Sequence, residues 1–259
     1  MLSIAFPFAF FTAYFLAALA CLEAGRRLGR RAFVQDPKAH PSGLGTVESV
    51  AFGLLGLLLA LTFSGAADRF DRRRAQIVQE ANDIGTAWLR LDLLPKEAQP
   101  KLRDAFRRYT DSRILTYRKI AEVSLAAAKE EHARNVAIQN EIWTGAVAAC
   151  REAPSQATIV LLPALNAMFD ITTTRLAATR FHPPRIVYVV LGLISLACAG
   201  LVGYEMGASA ARSWVHVVVL AALLSVMLYV ILDFEYPRFG LIRIDDFDQL
   251  LVDVRDGMK

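Results

Sequence analysis

The sequence predicts an all-α integral membrane protein, with four transmembrane helices and a cytoplasmic helical domain inserted between the second and third. Four apolar stretches contain no Asp, Glu, Lys or Arg. The polar segment between the second and third stretches has apolar residues at helical spacing, and sustained alternation of apolar and polar residues, the signal of a strand, is absent. Hydrophobic residues without glycine make up 55% of the 259 residues. Apolar residues including glycine reach only roughly 45–50% in soluble domains, so a soluble, secreted or disordered protein is excluded.

The four apolar stretches divide the chain into membrane and polar parts. Each has about the twenty residues that a helix needs to cross the hydrocarbon core. The predicted organisation is a first transmembrane pair in residues 1–67 (spans about 2–22 and 50–67), a polar domain in 68–185, a second pair in 186–232 (spans about 186–204 and 214–232), and a C-terminal tail in 233–259. The first stretch is interpreted as a retained helix and not a cleaved signal, because no Lys or Arg precedes Arg26.

The polar domain is predicted to consist of helices. The first continues out of the second span, because apolar residues follow one another at steps of four and three until Pro95 closes the helix: Ile77, Ala81, Ile84, Trp88 and Leu91. A second helix from Glu97 or Pro100 places one set of side chains on a single face: Leu102, Phe106, Tyr109, Arg113, Tyr117 and Ile120. Two more are predicted from about Lys129 to Cys150 and from about Gln156 to Arg180.

The last of these helices has an apolar segment that raises the alternative of a fifth span. Residues Ala157–Phe169 are apolar, but this segment is too short, is interrupted by Pro163 and Asn166, and ends at Asp170. A buried helix of the polar domain is therefore favoured. An even number of spans places both termini on the same side.

Basic residues near the ends of the spans indicate on which side of the membrane the termini and the polar domain lie. One group follows the first span: Arg26, Arg27, Arg30, Arg31 and Lys38, with Arg212 on the same side. The other flanks the polar domain and the fourth span: Arg69, Arg72, Arg73, Arg74, Arg180, Arg185, Arg238 and Arg243. The second group is larger and favours a cytoplasmic polar domain by a narrow margin. The net charge of +4 is explained by these flanks, and no nucleic-acid partner is expected.

Catalytic and metal-binding motifs are absent from the sequence. It contains no phosphate-binding GxxxxGK[ST] loop, no HExxH zinc motif and no GxSxG nucleophile motif. Its histidines are isolated, and its three cysteines include no CxxC pair. We therefore expect no enzyme activity, no cofactor and no metal site.

The junction after the second span carries a family resemblance. Here an uncharged helix continues without a break signal into a charged one, and Ala67-Asp68-Arg69-Phe70 with Arg73 resembles a stretch of the bestrophin channels. After the fourth span, Pro237, Phe239, Gly240 and Asp245–Asp248 resemble a second bestrophin element. Arg238 is inserted within it, and Leu241–Ile244 replaces acidic residues.

The chain is also similar to the bacterial bestrophin-like family over nearly its full length. The recurring signatures are Glu80–Pro95 and Glu235–Asp245. The resemblance implies a homopentamer in the bacterial inner membrane, with both termini cytoplasmic. It also implies one central pore, lined by the second membrane helix of each subunit, with a narrow apolar neck above a wider cytoplasmic vestibule.

The predicted pore face lies along the second span. Gly53, Leu57, Leu61 and Ser64 form one stripe, with Leu54 and Leu58 beside it; Gly56, Ala60 and Gly65 are available for close helix contact. The alternative is that these leucines face lipid or core. A shifted alignment of the resemblance would place Leu59 and Phe63 at the neck instead, and the Leu57 and Leu61 register is preferred.

The charged residues after the neck are the candidate vestibule entrance: Asp68, Arg69, Arg72, Arg73 and Arg74. These arginines would enrich anions, so chloride-type anions are slightly favoured over monovalent cations. The alternative is pairing with Asp68 and Asp71 at a basic membrane flank. Some bacterial relatives pass cations.

Asp245, Asp246, Asp248 and Asp253 are interpreted as surface acids or helix caps and not as a calcium site, because the Asp-x-Asp-x-Asp-Gly loop is missing.

The function predicted from the sequence is an oligomeric ion channel for small inorganic ions. The alternative is a membrane-anchored interaction or sensor protein whose four spans hold a helical domain at the bilayer. A secondary transporter is less favoured, because the spans lack ionisable residues for coupling.

Overall fold

The computed structural model describes residues 2–35, 44–121, 125–209, 213–238 and 240–259. These residues form α-helices and two short 3-10 turns, with no strand among them, so the all-α prediction is confirmed. Lys38, Arg212 and Phe239, used above, lie outside the described residues.

The helices up to residue 235 follow the predicted order, and the last helix lies in the segment predicted as a tail. They are α1 (Leu2–Gln35), α2 (Leu44–Arg90), α3 (Gln99–Ala121), α4 (Leu125–Cys150), α5 (Ser155–Ala178), α6 (Arg185–Met206), α7 (Trp214–Glu235) and α8 (Gln249–Asp256), with 3-10 turns at Leu91–Leu93 and Asp245–Asp248. The 47 residues of α2 form one uninterrupted helix, as the absence of a break signal predicts. Pro163 lies inside α5.

Among the described residues, five helices are long and apolar enough to cross a membrane. They are Phe8–Gln35, Gly45–Leu93, Ser155–Ala178, Arg185–Met206 and Trp214–Glu235. Three of them contain predicted spans, and Phe8–Gln35 overlaps the predicted first span from Phe8 onward. The other is α5, which the sequence assigns to the polar domain. Length and composition alone thus indicate a multi-pass membrane protein, and the four-span topology stays a prediction.

The chain divides into two compact units. Unit 1 comprises Met1–Phe70 and His182–Ile242. Its helices α1 and α6 cross closely because glycines lie at the contact: a Cβ on Gly25 would be 2.0 Å from the carbonyl oxygen of Gly200, and one on Gly203 would be 2.1 Å from that of Leu22. Small residues at such crossings let helix backbones approach one another in membranes.

Unit 2 comprises Asp71–Phe181 and Arg243–Lys259. Its core is built by the second half of α2 together with α3, α4, α5 and α8. In α5, Leu161, Leu165 and Met168 are fully buried. Leu251 of α8 is buried in the same core, so this part of the predicted C-terminal tail packs with the polar helices.

Candidate pore helix and its charged flank

The stripe predicted to line a pore is exposed in the single chain. Leu57 is 57% exposed and Leu61 is 63% exposed, as side chains that face lipid or another copy of the helix would be. Gly53, Leu54 and Ser64 are also exposed, whereas Leu58, at the side of the stripe, is half-buried. A Cβ on Gly53 or Gly56 would meet no atom within 4 Å.

The opposite face of α2 is packed inside unit 1. Leu55, Leu59 and Ala66 are buried in a cluster with residues of α1, α6 and α7. Phe63 contacts Phe234 of α7 edge to face, with ring centroids 5.5 Å apart. Of the alternative neck residues, Leu59 is thus buried, and Phe63 contacts Phe234 while 37% of it is exposed. The Leu57 and Leu61 register stays a prediction.

The charged flank in unit 1 begins with Asp68, which is exposed and lies four residues beyond Ser64. The next residue, Arg69, reaches back to α7. Its Nε and Nη2 donate to Oε2 of Glu235 at 2.9 and 2.6 Å. The Glu235 side chain is fully buried, and Nδ1 of His182 lies 2.7 Å from its Oε1. Arg69 therefore belongs to a charge-compensated cluster.

In the same unit, the side chain of Asp233 near the end of α7 holds the loop that follows this helix, and we call this contact the clamp. Oδ2 of Asp233 accepts the backbone N–H groups of Leu241 and Ile242 at 3.0 and 2.9 Å. A Cβ on Gly240 would lie 1.2 Å from Oδ1 of Asp233, so a side chain at this position would displace the clamp. This contact gives a physical reason for the glycine in the signature after the fourth span.

The other predicted entrance residues lie in unit 2. Arg72 is exposed. Arg73 is only 8% exposed and donates to the carbonyl oxygens of Ala178 and Phe181, each at 3.4 Å. Arg74 donates to Asp71 at 3.1 Å and lies over the ring of Phe247 at 4.3 Å. Arg73 and Arg74 therefore have partners within unit 2, and the vestibule entrance stays a prediction.

A buried charge network in unit 2 was not identified from the sequence. Glu80 is fully buried; its Oε1 accepts from Nε of Arg113 at 2.6 Å, and its Oε2 accepts from Arg175 and from the Tyr117 hydroxyl, the latter at 2.9 Å. Nη2 of Arg175 also donates to Asp248 at 3.4 Å. The network joins α2, α3, α5 and the turn Asp245–Asp248.

The pKa of Glu80 reflects this network. Burial alone would raise the pKa, but attraction and hydrogen bonds from Arg113 and Arg175 outweigh it and lower the pKa from 4.5 to about 2. Burial raises the pKa of Tyr117, so its hydroxyl stays protonated and donates. The sequence contains one indication of this network, which is Arg113, a charged residue on an otherwise apolar helix face.

The described residues contain no group of three or more His, Cys, Asp or Glu placed to hold a metal ion. Asp248 of the acidic turn contacts Arg175, and the side chains of Asp245 and Asp246 lie outside the description. A groove of about 360 Å³ is lined by residues that include Leu102 and Ala149 of α3 and α4, together with Glu97 and Glu152. It includes none of the predicted pore residues.

Comparison with known protein families identifies a relationship over most of the chain. The model of the Bestrophin-like domain matches residues 12–246, which include all four predicted spans apart from the start of the first. No curated protein and no solved structure matches the chain.

Proposed function

The chain belongs to the bestrophin-like family, and on that premise we propose that it is an oligomeric ion channel with a central pore lined by α2. Proteins of the bestrophin family are usually ion channels and generally not enzymes. The proposal places five copies around the pore, in the bacterial inner membrane. Unit 2 and both termini are on the cytoplasmic side, and α5 remains in the polar domain.

The observation that carries the proposal is the exposed stripe of α2. Exposed large apolar residues alone do not distinguish a pore face from a lipid-facing one, because Leu193 of α6 and Leu223 of α7 are exposed as well. Here the exposed face, centred on Leu57, is opposite the packed face of Leu55, Leu59 and Ala66, and small residues flank it at Gly53 and Gly56. A surface with alternating large and small residues suits close packing of several copies of one helix.

The leucines give this pore a mechanism for gating. Rings of Leu57 and Leu61 from neighbouring copies would form a hydrophobic constriction, which offers an ion no oxygen ligand and closes when its water is expelled. Ser64 is the first polar side chain beyond them on the stripe. Opening would therefore require only a small widening that lets water enter.

The ion class in this proposal is small inorganic ions of either sign. The slight preference for anions depends on the arginines after the neck. Three of them have other contacts: Arg69 with Glu235, Arg73 with backbone carbonyls and Arg74 with Asp71. These contacts reduce the support for anion enrichment.

The first test is the stoichiometry of the purified protein in detergent, measured by native mass spectrometry. A closed pentamer supports the channel. A monomer or dimer contradicts it and favours the membrane-anchored interaction or sensor protein.

The second test widens the proposed neck by shortening its two leucine side chains. We expect the Leu57→Ala/Leu61→Ala variant to show a higher conductance or open probability in planar bilayers, because the constriction becomes wider and easier to wet. The matched control is Leu193→Ala/Leu223→Ala, which removes two leucines of similar exposure from α6 and α7. Unchanged currents from a correctly assembled neck variant would exclude Leu57 and Leu61 from the neck.

A further inference from the structure

We propose that a stripe of arginines on α1 binds the phosphate groups of anionic phospholipids at the end of the first membrane span. The stripe consists of Arg26, Arg27, Arg30 and Arg31, and we call it the arginine stripe. The inference goes beyond ion conduction and takes from the proposed function only the cytoplasmic placement of unit 2. Every residue of the site belongs to unit 1.

Helix α1 continues beyond its predicted span and is fixed there against the end of α6. A Cβ on Gly29 would lie 2.0 Å from the carbonyl oxygen of Tyr204, and one on Gly207 would lie 2.5 Å from the backbone nitrogen of Arg30. The ring of Phe33 also contacts that of Tyr204, with centroids 5.5 Å apart. Because the two backbones touch at glycines, the helix ends pack closely, and the arginines project from a rigid support.

The arginine stripe faces away from this contact. Successive residues of a helix are rotated by about 100°, so Arg30 lies about 100° and Arg31 about 200° from Gly29. Arg26 and Arg27 precede these two arginines by about one helical turn and lie on the same side. Arg27, Arg30 and Arg31 are exposed, and Arg26 is half-buried. The guanidinium groups are therefore accessible to a ligand beside α1.

Most of the charge of the stripe is not neutralised by the chain. Nε of Arg27 donates to Glu23 at 2.8 Å. Within the residues that the structure describes, no ion pair and no side-chain hydrogen bond involves the other three members: Arg26, Arg30 and Arg31. The carboxyl group of Glu205, at the end of α6, contacts that of Glu48. Three permanent positive charges are thus left for a ligand that is not part of the chain.

The arginine stripe begins at the level of the lipid head groups. Arg26 and Arg31 follow Leu22, the end of the predicted span, by four and nine residues, which places them roughly 6 and 14 Å beyond it along the helix. Helical side chains tilt toward the N-terminus, which for α1 is the direction of the bilayer, so the farther guanidinium groups reach back toward the head groups. Tyr204, beside this part of α1, is of a residue type enriched at the membrane–water interface.

Membrane insertion does not explain the arginine stripe. With unit 2 in the cytoplasm, as proposed above, the stripe lies on the outer side of the membrane, where loops carry fewer Lys and Arg residues than on the cytoplasmic side. The insertion bias therefore acts against four arginines at this place. A ligand that binds them gives a physical reason for their presence.

The head groups of anionic phospholipids have the chemistry that these side chains recognise. A planar guanidinium group donates two parallel hydrogen bonds to phosphate oxygens, and its charge is permanent. The phosphate of phosphatidylglycerol is the only charge of its head group, whereas phosphatidylcholine adds a quaternary ammonium that repels arginine. The stripe should therefore prefer the anionic lipid to the zwitterionic one.

Native mass spectrometry of the full chain, purified in detergent and titrated with phosphatidylglycerol or phosphatidylcholine, tests this inference. We expect the wild type to bind phosphatidylglycerol more tightly than phosphatidylcholine. The affinity for phosphatidylglycerol should fall at least about tenfold in Arg26→Gln/Arg30→Gln/Arg31→Gln, because three positive charges beside the anionic head group are lost. The matched control Lys96→Gln/Lys101→Gln/Arg151→Gln removes three exposed basic residues from unit 2 and should keep the wild-type affinity.

A competition on the wild type alone distinguishes a lipid from a free anion and does not depend on the folding of a variant. Inorganic phosphate at the same concentration should not displace phosphatidylglycerol, because the free ion has no acyl chains to hold it at the membrane span. Displacement by phosphate would overturn the assignment to lipid. Equal affinity of the wild type for both lipids, an unchanged affinity of the stripe variant, or an equal loss in the control would also overturn the inference. These outcomes leave the proposed ion channel untouched, since none of them measures its stoichiometry or current.

Discussion

At the scale of single residues, Glu80 supplies the charge that two buried arginines require. Arg113 and Arg175 are 3% and 6% exposed, and both donate to its carboxylate. Removing one member of a buried ion pair usually costs about 3–5 kcal/mol, because the remaining charge is left uncompensated. We expect Glu80→Gln to lower the free energy of unfolding by roughly that amount.

Chemical unfolding in detergent, followed by circular dichroism, measures this change. The control is Asp104→Asn, which breaks an exposed pair with Arg108 and should cost no more than about 1 kcal/mol. Equal stability of both variants would mean that the buried network contributes no more than a surface pair.

The same carboxylate makes stability depend on acid. Its pKa is about 2 in the folded chain and 4.5 when unperturbed, so the folded state favours the ionised form. The stabilisation, about 3 kcal/mol, is fully present above pH 4.5 and is lost as pH falls toward 2. The stability difference between wild type and Glu80→Gln should shrink over this interval. A difference that stays constant down to pH 2 would contradict the assignment.

How much of the site the sequence predicts depends on the range of each interaction. The exposed stripe through Leu57 and Leu61 follows from helical spacing, which neighbouring residues determine. The Glu80 network joins side chains 33 and 95 positions apart, and no local pattern reports such a pairing. Arg113 was visible on an apolar face, but its partner could be found only from the packing of three helices. The contact of Arg69 with Glu235, 166 positions away, is of the same kind.

At the scale of elements, the crossing of α1 and α6 depends on glycine. A methyl group on Gly203 would lie 2.1 Å from the Leu22 carbonyl oxygen, so the two backbones would have to separate. We expect Gly203→Ala to destabilise the protein by about 2 kcal/mol, as overpacking of a tight contact does. Thermal unfolding in detergent measures this effect.

The matched control for this crossing is Gly85→Ala in α2, where a methyl group would meet no atom within 4 Å. Alanine there should be neutral or stabilising by up to about 1 kcal/mol, because it favours the helix more than glycine does. A Gly203→Ala variant as stable as Gly85→Ala would show that the crossing tolerates a wider separation.

The sequence predicts an element well where the signal lies in neighbouring residues. It predicts an element poorly where the tertiary or membrane environment determines its location. The continuous α2 and the end of its helix before Pro95 follow from backbone chemistry. The environment of α5 cannot be predicted in this way, because the composition of this helix suits both a membrane and a protein core. The burial of Leu161, Leu165 and Met168 in unit 2 supports the second alternative.

At the scale of the whole molecule, the topology depends on α5. Glu152 precedes this helix and Arg180 follows it, and both are exposed. If α5 stays in the cytoplasmic domain, cysteines introduced one at a time by Glu152→Cys and Arg180→Cys, after replacement of the three native cysteines by alanine, should both be shielded from an impermeant thiol reagent outside intact cells. Both should react after the inner membrane is opened. Labelling of one from outside and not the other would mean that α5 crosses the bilayer and that the chain has five spans.

The central claim, that α2 lines an ion-conducting pore, is tested most directly by recording current from the purified oligomer in a planar bilayer. We predict discrete channel openings from preparations whose mass corresponds to a pentamer, with larger or more frequent openings in the Leu57→Ala/Leu61→Ala variant. A bilayer that contains verified pentamers of both proteins and carries no current above background would contradict the claim.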